Sequence, residues 1–322
     1  MVNDLVVVAG GADASAVANL EQHAKDARGA YATNTERALR ADVAIFTGWC
    51  TDKTVSYLPA SPETVAVFID DMSQAKAPAT VRRYVSSIAT FHRAAKLTSP
   101  SEANEVKLAL KRMHRAKGRA QAQAAGLTRG IIDKMLEAPV TGCRGLRNRA
   151  LLAVAYDTLC RRSELVALTR ADIERGPAGD GTASIRRSKT DQEGQGHIRY
   201  LHLDTMRMLD AWLATIPAGD GPLFRTVTKG GTAGSSMDAG DVAVVFKEMA
   251  KAAGVSPDLA SRISGHSTRV GAAIDMATRG IGLPSVMQAG GWKTAEMVGR
   301  YTKRLDARQS GAAKLAVMQD RT

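Results

Sequence analysis

At 322 residues the chain is long enough for two domains, each with its own core. Its 44 Lys+Arg against 32 Asp+Glu leave a formal charge of +12, spread along the chain rather than gathered in a tail. That excess favours a polyanionic partner, nucleic acid first and an acidic membrane surface second.

Several classes are disfavoured at once. Cys50, Cys143 and Cys160 are odd in number and lack metal-ligand spacing, so neither a disulfide framework nor a structural metal is expected. No stretch reaches the ~18 apolar residues of a membrane span. The run from Leu5 to Gly11 is short and has no basic leader, so no signal peptide is expected.

Residues 1–32 are rich in Ala, Gly and Asp with weak periodicity and are expected to form a flexible leader. Four helical patterns follow over 33–116. In the first, Leu39, Val43, Phe46 and Cys50 form an apolar stripe, with Arg37, Arg40 and Thr47 opposite. Ser61-Pro62-Glu63 is a helix start, after which Val65, Phe68, Ile69 and Met72 share a face. A third stripe, Tyr84, Ile88, Phe91 and Ala95, is opposed by Arg83, Ser87 and Thr90. A fourth, Val106, Leu110 and Met113, is opposed by Lys107, Lys111 and Arg115. This reads as a small helical domain with cationic outer faces. Residues 117–126 contain no bulky apolar side chain and read as a linker, with Lys117 and Arg119 able to follow a phosphate backbone.

The second domain, 127–322, opens at Leu127-Thr128, followed by Ile131, Met135 and Leu136. After a turn at Thr141-Gly142, Leu151, Val154, Ala155 and Leu159 mark a buried helix, with Leu165 and Leu168 continuing the spacing. Residues 181–189 and 197–203 predict two strands joined by a loop at 191–196. Helical patterns return at 204–215, 239–253, 267–279, 284–289 and 294–301, with a last helix over about 306–319 carrying Ala312, Leu315 and Ala316. The fold class is mainly α, with a small β-element in the second domain.

Cleaving a phosphodiester without a metal needs cations on its non-bridging oxygens, a nucleophile in line and an acid for the leaving alkoxide. In Ser264-Gly-His-Ser-Thr-Arg269, His266 and Arg269 stand three residues apart and share a helix face. Arginine suits phosphate because its planar fork donates two hydrogen bonds and stays charged. Arg161, in Leu159-Cys-Arg-Arg-Ser-Glu-Leu165, closes the most apolar helix and has Glu164 as a partner. Lys189 sits beside the loop of the predicted hairpin, Trp292 follows Gly290-Gly291, and Tyr301 lies nine residues farther on. Each is commonplace alone: an Arg/Glu pair is usually structural, a tip lysine solvated, and a tryptophan or tyrosine a packing residue.

The order Arg161, Glu164, Lys189, His266-x-x-Arg269, Trp292, Tyr301 resembles the active-site signature of tyrosine recombinases, the phage integrase family. The likeness spans about 35–320 and is densest over 145–170 and 260–305. It implies that Tyr301 is the nucleophile, forming a 3′-phosphotyrosine and releasing a 5′-hydroxyl. Arg161 and Arg269 would clamp the phosphate, Lys189 protonate the leaving oxygen, and His266 act as acid/base. Trp292 would donate to the phosphate, and Glu164 orient its neighbours. Family register selects Arg161 over Arg162. No metal, ATP, other cofactor or small-molecule substrate is implied, and no Walker or His-Glu-x-x-His pattern is present.

The resemblance further implies a C-shaped clamp on double-stranded DNA. Arg82 and Arg83, with Arg37 and Arg40, are candidates for the major groove; Lys107, Lys111, Arg115, Lys117, Arg119, Arg187 and Lys247 are candidate contacts, and Gly234 to Lys247 takes the place of a second recognition helix. The last helix would dock into a neighbouring protomer, closing a tetramer on two inverted-repeat sites. A prokaryotic, phage or plasmid protein of the cytoplasm is expected, with no membrane partner.

Overall fold

The computed structural model describes residues 14–119, 123–139, 141–186, 196–308 and 310–321. The chain divides into two compact units, Met1–Ala122 and Gln123–Thr322. No described helix is long and apolar enough to cross a membrane.

The first unit holds α1 (Ala14–Asp26), α2 (Thr33–Asp52), α3 (Pro62–Ala75), α4 (Pro78–Ala94) and α5 (Asn104–Lys117), of which α2 to α5 surround an aromatic and aliphatic core. The start of α3 is fixed locally: the Ser61 hydroxyl accepts from the Thr64 N–H at 3.2 Å, and Pro62 supplies a preset φ. Phe46, Val65, Phe68, Ile69, Val81, Ile88 and Val106 are fully buried, and Phe46 meets Phe68 edge to face at 5.0 Å. Each such side chain contributes about 1.5–3 kcal/mol of burial.

Three details depart from the sequence reading. Where a leader is expected, Ala14–Asp26 forms a helix whose Ala16 and Leu20 are buried against Val43, Leu58, Phe91 and Ala95. Two apolar residues four apart are too sparse to show as periodicity, yet they suffice where a pocket is waiting. Thr47 is buried rather than outward, its hydroxyl donating to the Ala44 carbonyl one turn back. Ser87 is buried too, donating to Asp42 at 2.9 Å. Asp42 also pairs with Arg83 at 2.8 Å, so this buried carboxylate ties α2 to α4.

In the second unit, α6 (Arg129–Glu137) leads into α7 (Gly142–Thr158), which is buried along most of its length. Helix α8 (Arg162–Ala167) follows directly. A three-stranded antiparallel sheet of β1 (Ile173–Arg175), β2 (Gly181–Ile185) and β3 (His197–Leu201) pairs Ala183 with Arg199 and Ile185 with His197. Next come α9 (Leu203–Leu213), a hairpin of β4 (Arg225–Val227) and β5 (Ala233–Ser236), α10 (Asp241–Ala252) and α11 (Pro257–Ser261). The remainder is α12 (Ser267–Thr278), α13 (Leu283–Gly290), α14 (Ala295–Arg308) and α15 (Gly311–Met318). Trp212 is fully buried, with its indole N–H donating to the Leu223 carbonyl at 2.8 Å.

Here β1 and the β4–β5 hairpin were not expected. Their three- and four-residue strands are too short to show a period of two. Residues 234–236, expected to open a recognition helix, belong to strand β5, and the helix starts at Asp241. The last helix starts at Gly311, because the Ser310 hydroxyl caps it by accepting from Ala313 at 3.3 Å, while α14 runs on to Arg308.

Helix α12 has an unusually close neighbour. The Leu127 N–H donates to the Ser267 carbonyl at 2.9 Å, and Ala125 N–H to the Arg262 carbonyl at 3.1 Å. At Gly271 a Cβ would overlap the Leu127 backbone, so only glycine lets the segment Ala125–Leu127 lie against this helix.

Candidate active site

The site is assembled from the ends of α7, α12 and α13 and the middle of α14. Helix α7 stops at Leu159, whose left-handed backbone (φ 51°, ψ 26°) turns its carbonyl toward Arg269. Arg269, in the first turn of α12, is buried; its Nη1 donates to the Leu159 carbonyl and its Nη2 to the Gly290 carbonyl at 3.0 Å. Helix C-terminal carbonyls lack partners within their own helices, so one guanidinium satisfies the ends of two. Among the described residues no carboxylate forms an ion pair with Arg269. Burial pushes its pKa down to about 10, with the Arg161 charge adding to the effect and Glu164, Tyr301 and Cys160 opposing it. It remains a cation at neutral pH.

The guanidinium lies 4.9 Å from the Trp292 ring centroid, and Trp292 meets Tyr301 at 5.7 Å with the rings tilted by 50°. The order arginine, indole, phenol thus holds in space as well as in sequence. Trp292 and the half-buried Tyr301 share an apolar cluster with Leu159, Ala273, Val286 and Val298. Gly291 makes the turn possible: its φ of 62° ends α13 in the left-handed region and redirects the chain to Trp292.

Arg161 precedes α8 in an extended conformation. Its backbone N–H donates to Glu164 Oε2 at 2.8 Å and its Nη1 to Glu164 Oε1 at 2.6 Å. Glu164 therefore caps the helix and fixes the side chain that precedes it. Arg162 is used differently, its stem lying over Gly265. His266 stands at the N-terminus of α12 with an exposed ring, its backbone N–H donating to Ser264 Oγ at 3.1 Å. Partial loss of hydration, then the positive charges of Arg269, Arg162 and Arg161, hold its pKa below the ordinary histidine value. The imidazole is therefore neutral at pH 7 and able to accept a proton. Lys189 and Arg187 lie outside the described residues.

The candidate DNA contacts are largely exposed. Arg82, Lys111, Arg115 and Arg119 are exposed on the first unit, and Lys247 on α10 of the second. Arg37 is exposed beside Asn34 (3.2 Å), and Arg40 is half-buried. Lys107 faces Glu102 at 3.8 Å, and Lys117 donates to the Gln74 carbonyl at 3.2 Å. Arg83 is committed to Asp42 and to the Tyr84 ring at 5.7 Å, so it is held in place rather than free to search. Among the described residues no cluster of three or more His, Cys, Asp or Glu is arranged to hold a metal ion.

Two features escaped the sequence reading. Tyr156 on α7 donates to Asp275 on α12 at 2.5 Å, and the Arg129 N–H reaches the same carboxylate oxygen at 2.6 Å, joining three helices behind the site. The other is Arg199, buried on β3 and donating to the Gln288 carbonyl. In His197-Ile-Arg-Tyr-Leu201 alternation would place Ile198 and Tyr200 inward, yet they are 68% and 55% exposed while Arg199 points in.

Known proteins of one family resemble this chain. Residues 126–308 match the model of the phage integrase family. Cre recombinase of Escherichia phage P1 is 29% identical over 305 residues, covering 89% of both chains. An integrase/recombinase XerD homolog of Selenomonas ruminantium is 30% identical over 284 residues, covering 85% of this chain and 82% of the relative. Among solved structures, the XerH site-specific recombinase bound to its palindromic difH substrate matches with a TM-score of 0.66 at 18% identity, over 91% of this chain and 84% of that one. A lambda integrase tetramer bound to a Holliday junction matches with a TM-score of 0.59 at 15% identity, over 88% and 76%.

Proposed function

The chain belongs to the phage integrase family, the tyrosine site-specific recombinases that cleave and rejoin DNA, and from that premise we propose that Tyr301 is its nucleophile and a 3′-phosphotyrosine its intermediate. The observation that carries this reading is the Arg269–Trp292–Tyr301 stack beside Arg161 and Glu164. A phosphate accepted by the two arginines would lie within reach of the phenol, held where its charge is stabilised in a partly desolvated site.

In the proposed reaction Tyr301 Oη bonds to phosphorus as the P–O5′ bond breaks. The phenolic proton passes to the neutral imidazole of His266, and Lys189 protonates the departing 5′-oxygen. Trp292 packs the phosphate and donates its indole N–H, while Glu164 keeps Arg161 in register. One phosphodiester replaces another, so the bond energy is retained in the adduct and religation to a partner strand requires neither ATP nor a metal ion.

The assembly follows the same premise. Residues 33–116 are assigned to DNA binding, 117–126 to the connection and 127–322 to catalysis, the substrate being double-stranded DNA with inverted repeats. Helix α15 leaves Leu315, Val317 and Met318 49%, 76% and 80% exposed, which supports docking into a neighbouring copy. A closed ring of four on two sites avoids open-ended filaments, and lambda integrase bound to a Holliday junction is a tetramer. The setting is the cytoplasm of a bacterium carrying the gene on a chromosome, phage or plasmid.

One duplex tests the chemistry. Footprinting on DNA flanking the gene locates the inverted repeats, and a nick within their spacer makes a suicide substrate. The wild type is expected to form a detergent-stable covalent adduct with chelator present, and Tyr301→Phe to bind without forming one. An adduct that survives Tyr301→Phe refutes the nucleophile assignment.

A further inference from the structure

Arg199 has no place in the proposed reaction, yet its surroundings are unusual for an arginine. It is 9% exposed, and among the described residues it has no carboxylate partner. Buried guanidinium groups are costly unless paired or used. Its Nη1 donates to the carbonyl of Gln288 in the last turn of α13, the negative end of that helix. Its Nη2 rests on Gly291, where an added Cβ would stand 2.7 Å away. The next residue is Trp292, the plate between Arg269 and Tyr301. Arg199 therefore holds the turn that presents the indole, and it does so from a different element, strand β3.

It also lies within electrostatic reach of Arg161, Glu164 and Cys160, and Cys160 in turn is within reach of Arg269. Burial holds the Arg199 pKa below the ordinary arginine value, with the Arg161 charge adding to the effect and Cys160 and Glu164 opposing it. Arg161 is bonded to the carboxylate of Glu164, and Arg199 and Arg269 lie within electrostatic reach of it, so the three guanidinium groups and one carboxylate carry a net charge of about +2. A phosphodiester brings one negative charge, and the five-coordinate transition state concentrates about two on its oxygens. Two arginines against one glutamate would match the ground state; the third matches the charge that arises during reaction.

We infer that Arg199 is a positioning residue: it pins the Gly290–Trp292 turn and supplies the third positive charge of the phosphate pocket, favouring the transition state over bound DNA. The inference rests on the reading of Arg161 and Arg269 as the phosphate clamp.

The test compares single-turnover cutting with binding on the nicked, footprinted duplex. Arg199→Met keeps the stem and removes the fork; it is expected to cut on the order of 10²-fold more slowly while binding within about threefold of wild type. Arg199→Lys restores the charge without the fork and is expected to recover about tenfold of that loss. Gly291→Ala, which displaces the guanidinium, is expected to slow cutting similarly, with the Arg199→Met/Gly291→Ala pair no worse than Gly291→Ala alone. Wild-type cutting by a folded Arg199→Met, or loss of binding equal to loss of cutting, overturns the inference. Should Arg199→Met fail to fold, wild-type cutting by Arg199→Lys overturns it instead. The Tyr301→Phe arm is scored separately: an adduct there removes the nucleophile assignment and leaves the Arg199 comparison readable on whatever adduct forms.

Discussion

Gly271→Ala puts a number on how tightly the site is framed. A methyl group at 271 would stand 2.7 Å from the Thr128 nitrogen and closer still to the Leu127 carbonyl. Non-bonded carbon needs about 3.5 Å, so the Leu127 backbone must retreat by roughly 1 Å or more. Because backbone rather than a flexible side chain blocks the way, the cost sits near the upper end of overpacking, about 3 kcal/mol. Stretching the Leu127 N–H to Ser267 bond removes about 1 kcal/mol more. The helical preference of alanine over glycine returns about 1 kcal/mol, leaving a net loss of about 3 kcal/mol. For a unit the size of Gln123–Thr322 that corresponds to a fall in Tm of roughly 6–12 °C in thermal denaturation followed by circular dichroism. Gly299→Ala, in α14 with no atom within 4 Å of the added methyl, should instead gain about 0.5–1 kcal/mol. A Gly271→Ala protein that melts at or above the wild-type temperature refutes the close-approach argument.

Other expectations are readily checked. His92 is fully buried, its Nε2 accepting from the Ala60 N–H at 2.9 Å, and desolvation holds its pKa below the usual 6.5. Its contribution is therefore present above pH 6.5 and lost as pH falls through the lowered value; urea midpoints that rise on acidification below pH 6 contradict this. The lowered pKa of His266 places the acid limb of the cutting rate below pH 6.5, and His266→Ala should remove that limb. Tyr156→Phe breaks the bond to Asp275 and should cost about 2 kcal/mol in denaturant unfolding, with no change in duplex affinity. Burial pushes the Cys50 and Cys160 thiols up to about 12 and about 11, so an aromatic disulfide reagent at pH 8 should label Cys143 in the native protein and the other two only after unfolding. If six to ten phosphates are contacted, duplex affinity should fall about 10³–10⁵-fold between 50 and 200 mM salt.

The parts of this molecule that sequence revealed are those in which one residue type is tied to one task. His266-x-x-Arg269 sits at the start of a helix and Trp292 follows a two-glycine turn; each is commonplace alone, and their order with Arg161, Glu164, Lys189 and Tyr301 is what singled them out. The helix stripes around Phe46, Phe68 and Ile88 were visible because burial there repeats every three to four residues. What stayed hidden depends on partners far along the chain. Arg199 reverses the polarity of its strand because the carbonyl that fixes it lies 89 residues away. Ser87 and Thr47 look like surface residues until Asp42 and a helix turn provide acceptors. Ala14–Asp26 was hidden because its helix is held by two small contacts rather than a stripe.

Arg269 is bolted to the protein by two main-chain carbonyls, while Tyr301 rests in an apolar cluster beside an indole. In the proposed reaction, receptor and nucleophile are thus mounted independently, and loss of the phenol would leave the receptor intact. A gene copy that decayed at this single codon would still encode a protein that finds and occupies the same DNA sites. Such a copy would compete with its active parent and turn a recombinase into a natural antagonist of recombination.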